Sequence, residues 1–144
     1  MLLRFAPFSA HAGFPSPGEH HVEHSLSLDD LVAFDREATY FVTVEGNSMY
    51  GANISSGDIL VVSRAIEPTS HAIVVVTLDS RFLVKRILYD QNGSITLSSE
   101  HPAYPPVRVT ETMRFSVWGV AVFVLHPLHP LAAHRLHPPS DHKP

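Results

Sequence analysis

The stretch of sequence that decides the fold is Ala72-Ile-Val-Val-Val-Thr77, followed by a turn at Asp79-Ser80 and then by Phe82–Leu88. Two apolar runs of strand length flank a short polar turn, which predicts a β-hairpin. The next turn, Asp90-Gln-Asn-Gly93, contains Asn-Gly, a pair that favours the positive φ values of hairpin turns. Ser94-Ile-Thr-Leu97 follows it as a further strand. These residues predict a run of antiparallel strands.

The same pattern of apolar runs and turn residues extends to both sides of this stretch. About seven short strands with almost no helical period predict a mainly β fold, an antiparallel β domain. Ser27-Leu-Asp-Asp30 is the exception, because a serine followed by acidic residues is typical of a helix N-terminus, and it predicts one short helix over 27–35. The other predicted strands are Tyr40–Val44, Ile59–Val62, Val107–Val109 and Phe115–Leu125.

Composition divides the chain into three segments. Residues 1–24 have no regular hydrophobic period and contain several prolines, which predicts a flexible N-terminal arm. Residues 25–125 carry the strands and form the predicted β domain. Residues 126–144 are rich in histidine and proline, which predicts a disordered tail. The pairs His126/His129 and His134/His137 could bind a metal, but without a rigid scaffold the sequence favours a disordered tail.

The overall composition limits the class of function. An apolar fraction of 44% in 144 residues is enough for the core of one domain. Charged residues make up 17% and the formal net charge is −4, so direct, sequence-specific DNA binding is not predicted. The absence of cysteine excludes disulfides, thiolate metal sites and a cysteine nucleophile. No apolar run approaches the roughly 20 residues of a membrane-spanning helix, and we expect a cytoplasmic protein that needs no cofactor.

The segment Gly46-Asn47-Ser48-Met49 follows a predicted strand and is the candidate centre of the chemistry. A glycine allows a sharp turn, and a serine on a tight turn at a strand end can be an exposed nucleophile. It can equally be an ordinary turn serine. At such a turn, the backbone N–H groups of Ser48 and Met49 are in principle suitably placed to stabilise an oxyanion.

A serine nucleophile needs a base, and the sequence offers two kinds. Of the 11 histidines, only His71 and His101 fall within the strand region, and no histidine–acid pair stands out, so a Ser-His-Asp triad has weak support. Lys85 is the alternative, because strand alternation places it on one face with Leu83 and Ile87. Burial on that face would lower its pKa, whereas a lysine that snorkels from a sheet edge would stay charged, and alternation alone does not decide between them.

Five segments form a pattern that is more specific together than any of them is alone. They are Ala12-Gly13-Phe14-Pro15-Ser16-Pro17, Ala38-Thr39-Tyr40-Phe41-Val42, Gly46-Asn47-Ser48-Met49, Ile54-Ser-Ser-Gly57-Asp58-Ile-Leu60 and Phe82-Leu-Val84-Lys85. In this order and spacing, over residues 12–125, the chain resembles the LexA/UmuD family of self-cleaving proteins with a Ser/Lys dyad. No helix-turn-helix module precedes Ala12, which favours the UmuD branch, whose members are accessory subunits of error-prone DNA polymerase V.

The resemblance implies a set of roles and partners. Ser48 would be the nucleophile, Lys85 the general base, and the N–H groups of Ser48 and Met49 the oxyanion donors, without a metal. The Ala12-Gly13 bond would be cut, in a homodimer with a strongly bent β structure. Cleavage would be stimulated by RecA–single-stranded-DNA filaments formed after DNA damage. The shortened chain, which begins at Gly13, would join a UmuC-like Y-family DNA polymerase for translesion synthesis.

The chain departs from the family pattern at two places near the site. Asn47 stands where an acid is commoner, and His71-Ala72 replaces a Gly-Asp pair before the strand that leads to Lys85. Two other functions stay open. One is a non-catalytic polymerase-binding β module in which Ser48 and Lys85 have no function. The other is a signal-peptidase-like enzyme that cuts other proteins, against which the missing membrane anchor argues.

Overall fold

A computed structural model gives the structure of residues 2–5, 24–33 and 35–137. Its largest element is a sheet of seven strands, all paired antiparallel, and a separate two-stranded sheet precedes it. The strands are β1 Leu2–Phe5, β2 His24–Ser27, β3 Thr39–Thr43, β4 Ile59–Ser63, β5 Ile73–Leu78, β6 Arg81–Tyr89, β7 Ile95–Ser98, β8 Val107–Arg108 and β9 Phe115–Leu125. The predicted mainly β, antiparallel fold is therefore confirmed.

The order of strands in the large sheet is β3-β4-β9-β5-β6-β7-β8. β5 lies inside the sheet between β9 and β6, and its side chains alternate between two hydrophobic cores. Val75 belongs to a core with Met49 and Leu60, whereas Val74 belongs to a core with Ile87. A strand that is buried on both faces reads as a continuous apolar run, which is why 72–77 is so recognisable in the sequence.

Strand β9 is long and carries two irregularities in its pairing. Its register shifts opposite Val61/Val62 of β4 and again opposite Val75/Val76 of β5. An extra residue at a bulge bends the strand and increases its twist, which fits the bent architecture implied by the family resemblance. Gly119 lies between these shifts, and a Cβ there would approach Val62 Cγ1 to 2.6 Å, so the glycine allows β4 and β9 to pack closely.

The structure contains an N-terminal strand that the sequence analysis did not predict. β1 pairs antiparallel with β2, from Leu2 opposite Ser27 to Phe5 opposite His24. Leu2-Leu3-Arg4-Phe5 is short and lies just before Ala6-Pro7, so its extended form depends on a partner strand whose paired residues are 19 to 25 positions further along the chain rather than on a local pattern. The predicted cleavage bond Ala12-Gly13 lies outside the described residues, and the flexible arm stays a prediction.

Helix α1, Leu28–Val32, lies where the short helix was predicted, although it ends earlier than residue 35. Ser27 is its N-cap residue and Asp29 and Asp30 lie in its first turn, as the sequence indicated. The Ser27 side chain makes no capping hydrogen bond, so the stabilisation at this end comes from the acidic residues beside the helix N-terminus.

A second helix, α2 at Pro130–Leu136, falls inside the segment that was predicted to be disordered. The prediction of a tail without structure is wrong for these residues. Proline is tolerated at the first helical position, Leu131-Ala-Ala133 favours a helix, and the His129 side chain accepts a hydrogen bond from the Leu131 N–H as an N-cap.

Two histidines attach this segment to the turn before β4. His126 Nδ1 lies 2.5 Å from Oδ1 of Asp58, a carboxylate that is almost fully buried, and His137 Nε2 lies 2.7 Å from the Gly57 carbonyl oxygen. A buried carboxylate needs such partners, and Asp58 Oδ2 also accepts from the Ser55 N–H at 2.8 Å. In the part of the chain that the structure describes, neither helix is long and apolar enough to cross a bilayer.

Candidate active site

Ser48 lies on the loop between β3 and β4, which is built to turn sharply. Gly46 has a φ of 83°, a left-handed value that favours glycine. Met49, next to the serine, is 2% exposed and packs into the core with Leu60, so it anchors the loop while Ser48 remains half-buried. A short 3₁₀ turn at Tyr50–Ala52 follows directly after Met49. The expected serine on a tight turn is therefore present.

The segment that follows β7 holds this loop through its backbone. The Glu100 N–H donates to the Ser48 carbonyl oxygen at 2.9 Å, and the Gly51 N–H donates to the Glu100 carbonyl oxygen at 2.7 Å. The Tyr104 hydroxyl donates to Asn47 Oδ1 at 3.1 Å. Asn47 thus supplies an acceptor to the Tyr104 hydroxyl.

Ser48 and Lys85 line the same pocket, which has a volume of about 460 Å³. Its walls are mostly apolar and include Val44, Leu83 and Leu97. An apolar wall beside a serine and a lysine reduces the contact of both with water, which favours the neutral form of the amine. The structure therefore places in the lining of one pocket two residues that the sequence singled out from segments far apart.

Lys85 is half-buried on β6 and stands on the face predicted for it, since Leu83 and Ile87 belong to one core and Val84 to the other. Burial, and then the positive charge of Arg81, lowers the pKa of Lys85 below its ordinary range. The Lys85 Nζ donates a hydrogen bond to Ser99 Oγ at 2.5 Å. Within the described residues, no hydrogen bond joins Lys85 to Ser48.

The backbone N–H groups of Ser48 and Met49 belong to residues that line the pocket. Among the described residues, neither the Ser48 nor the Met49 N–H donates a hydrogen bond. Two adjacent N–H groups without a partner in the described part of the chain, on residues that line a pocket, are suited to receive an oxygen that carries negative charge.

No histidine of the described residues lines this pocket, so neither His71 nor His101 is placed to act as the base of Ser48. The sequence analysis found no histidine–acid pair, whereas the structure contains one, His126 with Asp58. That pair lies outside the pocket and connects the C-terminal segment to the domain.

His71-Ala72 supports the strand of Lys85 in spite of its departure from the family pattern. The His71 N–H donates to the Ile87 carbonyl oxygen at 2.7 Å, and the Ile87 N–H donates to the Ala72 carbonyl oxygen at 3.0 Å. The Arg86 guanidinium donates to the His71 carbonyl oxygen at 2.6 Å and also pairs with the Glu100 carboxylate. His71 adopts a φ of 73°, where a side chain costs backbone strain.

We expect His71→Gly to stabilise the protein by about 1 kcal/mol, because glycine adopts positive φ without a Cβ clash. His71→Ala is the matched control, since it removes the imidazole ring but keeps the Cβ. Urea unfolding of both variants would measure the difference in free energy of unfolding. Equal stability of the two variants would show that the left-handed backbone costs nothing at this position.

Sequence reasoning missed the residues that hold the site together: Gly51, Arg86, Ser99, Glu100 and Tyr104. Ser99 and Glu100 lie directly after a strand and look like ordinary loop residues. Only the pairing of β6 with β7, and the docking of the Ser48 loop, gives them their contacts. A Cβ on Gly51 would lie 2.6 Å from the Glu100 carbonyl oxygen, so only glycine fits at this position without a shift of the backbone.

The chain is similar to known proteins over most of its length. The Peptidase S24-like family matches residues 5–122. The chain belongs to this family. Protein ImpA of Salmonella typhimurium is 34% identical over 115 residues, which cover 80% of this chain and 77% of ImpA. Protein MucA of the same organism is 33% identical over 120 residues, 81% of each chain.

The LexA repressor of Bordetella pertussis is 39% identical over 120 residues, which cover 82% of this chain and 55% of the repressor. The resemblance to the LexA/UmuD family that the sequence motifs indicated is thereby confirmed. Membership of a peptidase family supports a serine peptidase or an autoprotease.

Proposed function

We propose that the protein is a self-cleaving serine peptidase of the UmuD type, with Ser48 as nucleophile and Lys85 as general base. The observation that carries the proposal is the shared pocket, in which Ser48 and a lysine with a lowered pKa lie against apolar walls. A lysine can accept a proton only when it is neutral, and desolvation favours that form. The proposed substrate is the protein's own Ala12-Gly13 bond.

In the proposed reaction, neutral Lys85 takes the proton of the Ser48 hydroxyl while Oγ attacks the Ala12 carbonyl carbon. The carbonyl oxygen becomes negatively charged and accepts from the N–H groups of Ser48 and Met49. Lys85 then returns its proton to the Gly13 nitrogen as the C–N bond breaks. Water, activated by the neutral lysine, hydrolyses the resulting ester and releases residues 1–12.

We further propose that the protein acts in the SOS response in the cytoplasm, as a homodimer. A RecA–single-stranded-DNA filament would stimulate the cleavage, and the shortened chain would associate with a UmuC-like Y-family DNA polymerase for translesion synthesis. The similarity to ImpA, MucA and LexA supports this setting. The formal net charge of −4 agrees with contact to DNA through protein partners rather than directly.

The test uses the purified chain under two conditions. One sample is incubated at pH about 10, where more Lys85 is neutral, and the other with RecA, ATP and single-stranded DNA. Mass spectrometry is expected to show loss of residues 1–12 in the wild type and an intact chain in Ser48→Ala. An intact wild type under both conditions would favour the non-catalytic polymerase-binding module. Cleavage of unrelated peptides would instead indicate a peptidase that acts on other proteins.

A further inference from the structure

The register of the sheet places a serine opposite the proposed base. Arg86 of β6 pairs with Ser98, the last residue of β7, so the next residue along, Ser99, comes opposite Lys85. Its Oγ lies 2.5 Å from the Lys85 Nζ, and both residues are half-buried. This contact connects the proposed base to a hydroxyl that is not the proposed nucleophile.

The backbone of Ser99 is also held in place, because the next residue, Glu100, is bonded to the Ser48 loop. The Glu100 backbone bonds to Ser48 and to Gly51, and its carboxylate pairs with Arg86. The backbone of Ser99 cannot move away from Lys85 without disturbing these contacts. The Ser99 hydroxyl is therefore presented to the amine from a backbone that is held in place.

The direction of the effect follows from the chemistry of the two groups. An ammonium has three N–H donors and no acceptor, so Ser99 Oγ accepts from the charged form of Lys85. A hydrogen bond to the charged form favours that form. The other charged or titratable side chains that line the pocket are Glu45, Arg81 and Tyr104. Arg81 acts in the opposite direction to Ser99, since its positive charge disfavours the ammonium.

We propose that Ser99 is a positioning residue that holds Lys85 as an ammonium bound to Ser99 rather than to Ser48, and so restrains self-cleavage of the resting chain at neutral pH. The consequence for self-cleavage rests on the proposed function, whereas the effect of Ser99 on the protonation of Lys85 does not. Cleavage would begin when the amine loses its proton and turns from Ser99 to the Ser48 hydroxyl.

The first experiment measures the protonation of Lys85 without any cleavage. The chain has only two lysines, Lys85 and Lys143, so selective isotope labelling of lysine side chains gives two sets of NMR signals. Lys85→Arg assigns them. In a Ser48→Ala background, adding Ser99→Ala is expected to raise the neutral fraction of Lys85 at a given pH roughly tenfold, as loss of a charge-assisted hydrogen bond would. Ser99→Thr keeps the hydroxyl. The neutral fraction of Lys85 in this variant is expected to lie within about twofold of that in the Ser48→Ala parent.

The second experiment follows self-cleavage against pH in the wild type, Ser99→Ala and Ser99→Thr, all with Ser48 intact. Ser99→Ala is expected to cleave several-fold faster near neutral pH, with the rising limb of its profile moved to lower pH. Ser99→Thr is expected to follow the wild type. The proposal would be overturned if the pKa of Lys85 were unchanged or higher in Ser99→Ala. It would also be overturned if the cleavage profile were unchanged. If the wild type never cleaves, the proposed function fails, whereas the NMR titration still decides the role of Ser99.

Discussion

Replacement of Lys85 by alanine is expected to reduce self-cleavage at Ala12-Gly13 by at least about 10³-fold, because the serine hydroxyl then has no base. Within the described residues, no histidine lines the pocket to take its place. Lys85→Arg is the matched control, since it keeps a long, positively charged side chain that stays protonated at any accessible pH. Both variants are expected to be inactive. Inactivity of Lys85→Arg would show that the reaction needs a proton acceptor at this position and that a positive charge is not enough.

The pH dependence provides a second readout for the same residue. The neutral fraction of Lys85 rises with pH and, because burial and Arg81 lower its pKa, reaches one half at a lower pH than the ~10.4 of a lysine in water. Wild-type cleavage is therefore expected to increase with pH and to reach half of its maximum below that value. Mass spectrometry of samples held at a series of pH values, with circular dichroism to check folding, would give the profile. A Lys85→Ala variant that still cuts with the same rising profile would contradict a role for Lys85.

Sequence reasoning predicted the strands well because their signals are local. β5 and β6 are apolar runs separated by a two-residue turn, and Asp79 and Ser80 adopt the positive φ values that such a turn requires. Alternation along β6 correctly assigned Lys85 to the face of Leu83 and Ile87. The degree of burial did not follow from alternation, because it depends on which elements cover that face.

The contacts that complete the site were beyond the sequence for a different reason. Ser99 meets Lys85 only through the register of β6 against β7, and Glu100 meets Ser48 across 52 residues of chain. Neither contact leaves a periodic pattern, since each depends on loop residues. The same holds for His126 and Asp58, whose pairing connects a C-terminal residue to a turn near the middle of the chain. Long-range contacts of this kind need the folded topology.

The second large effect is expected from Gly51, whose importance is visible only in the structure. A Cβ at this position would lie 2.6 Å from the Glu100 carbonyl oxygen and 3.3 Å from its carbonyl carbon, and backbone atoms cannot swing aside as a flexible side chain can. Gly51→Ala therefore has to separate the Ser48 loop from the segment after β7. The two hydrogen bonds between Glu100 and this loop would stretch or break.

We expect Gly51→Ala to lower self-cleavage roughly 100-fold, because a displacement of about 1 Å between reacting groups has that effect, and to destabilise the fold by about 1–3 kcal/mol. Gly93→Ala is the matched control, in the turn between β6 and β7. It costs backbone strain at a φ of 82°, but its Cβ would meet no atom within 4 Å. Urea unfolding and the cleavage assay, applied to both variants, separate the two effects. Cleavage by Gly51→Ala that falls no further than that of Gly93→Ala would show that the position of the Ser48 loop does not depend on its contact with Glu100.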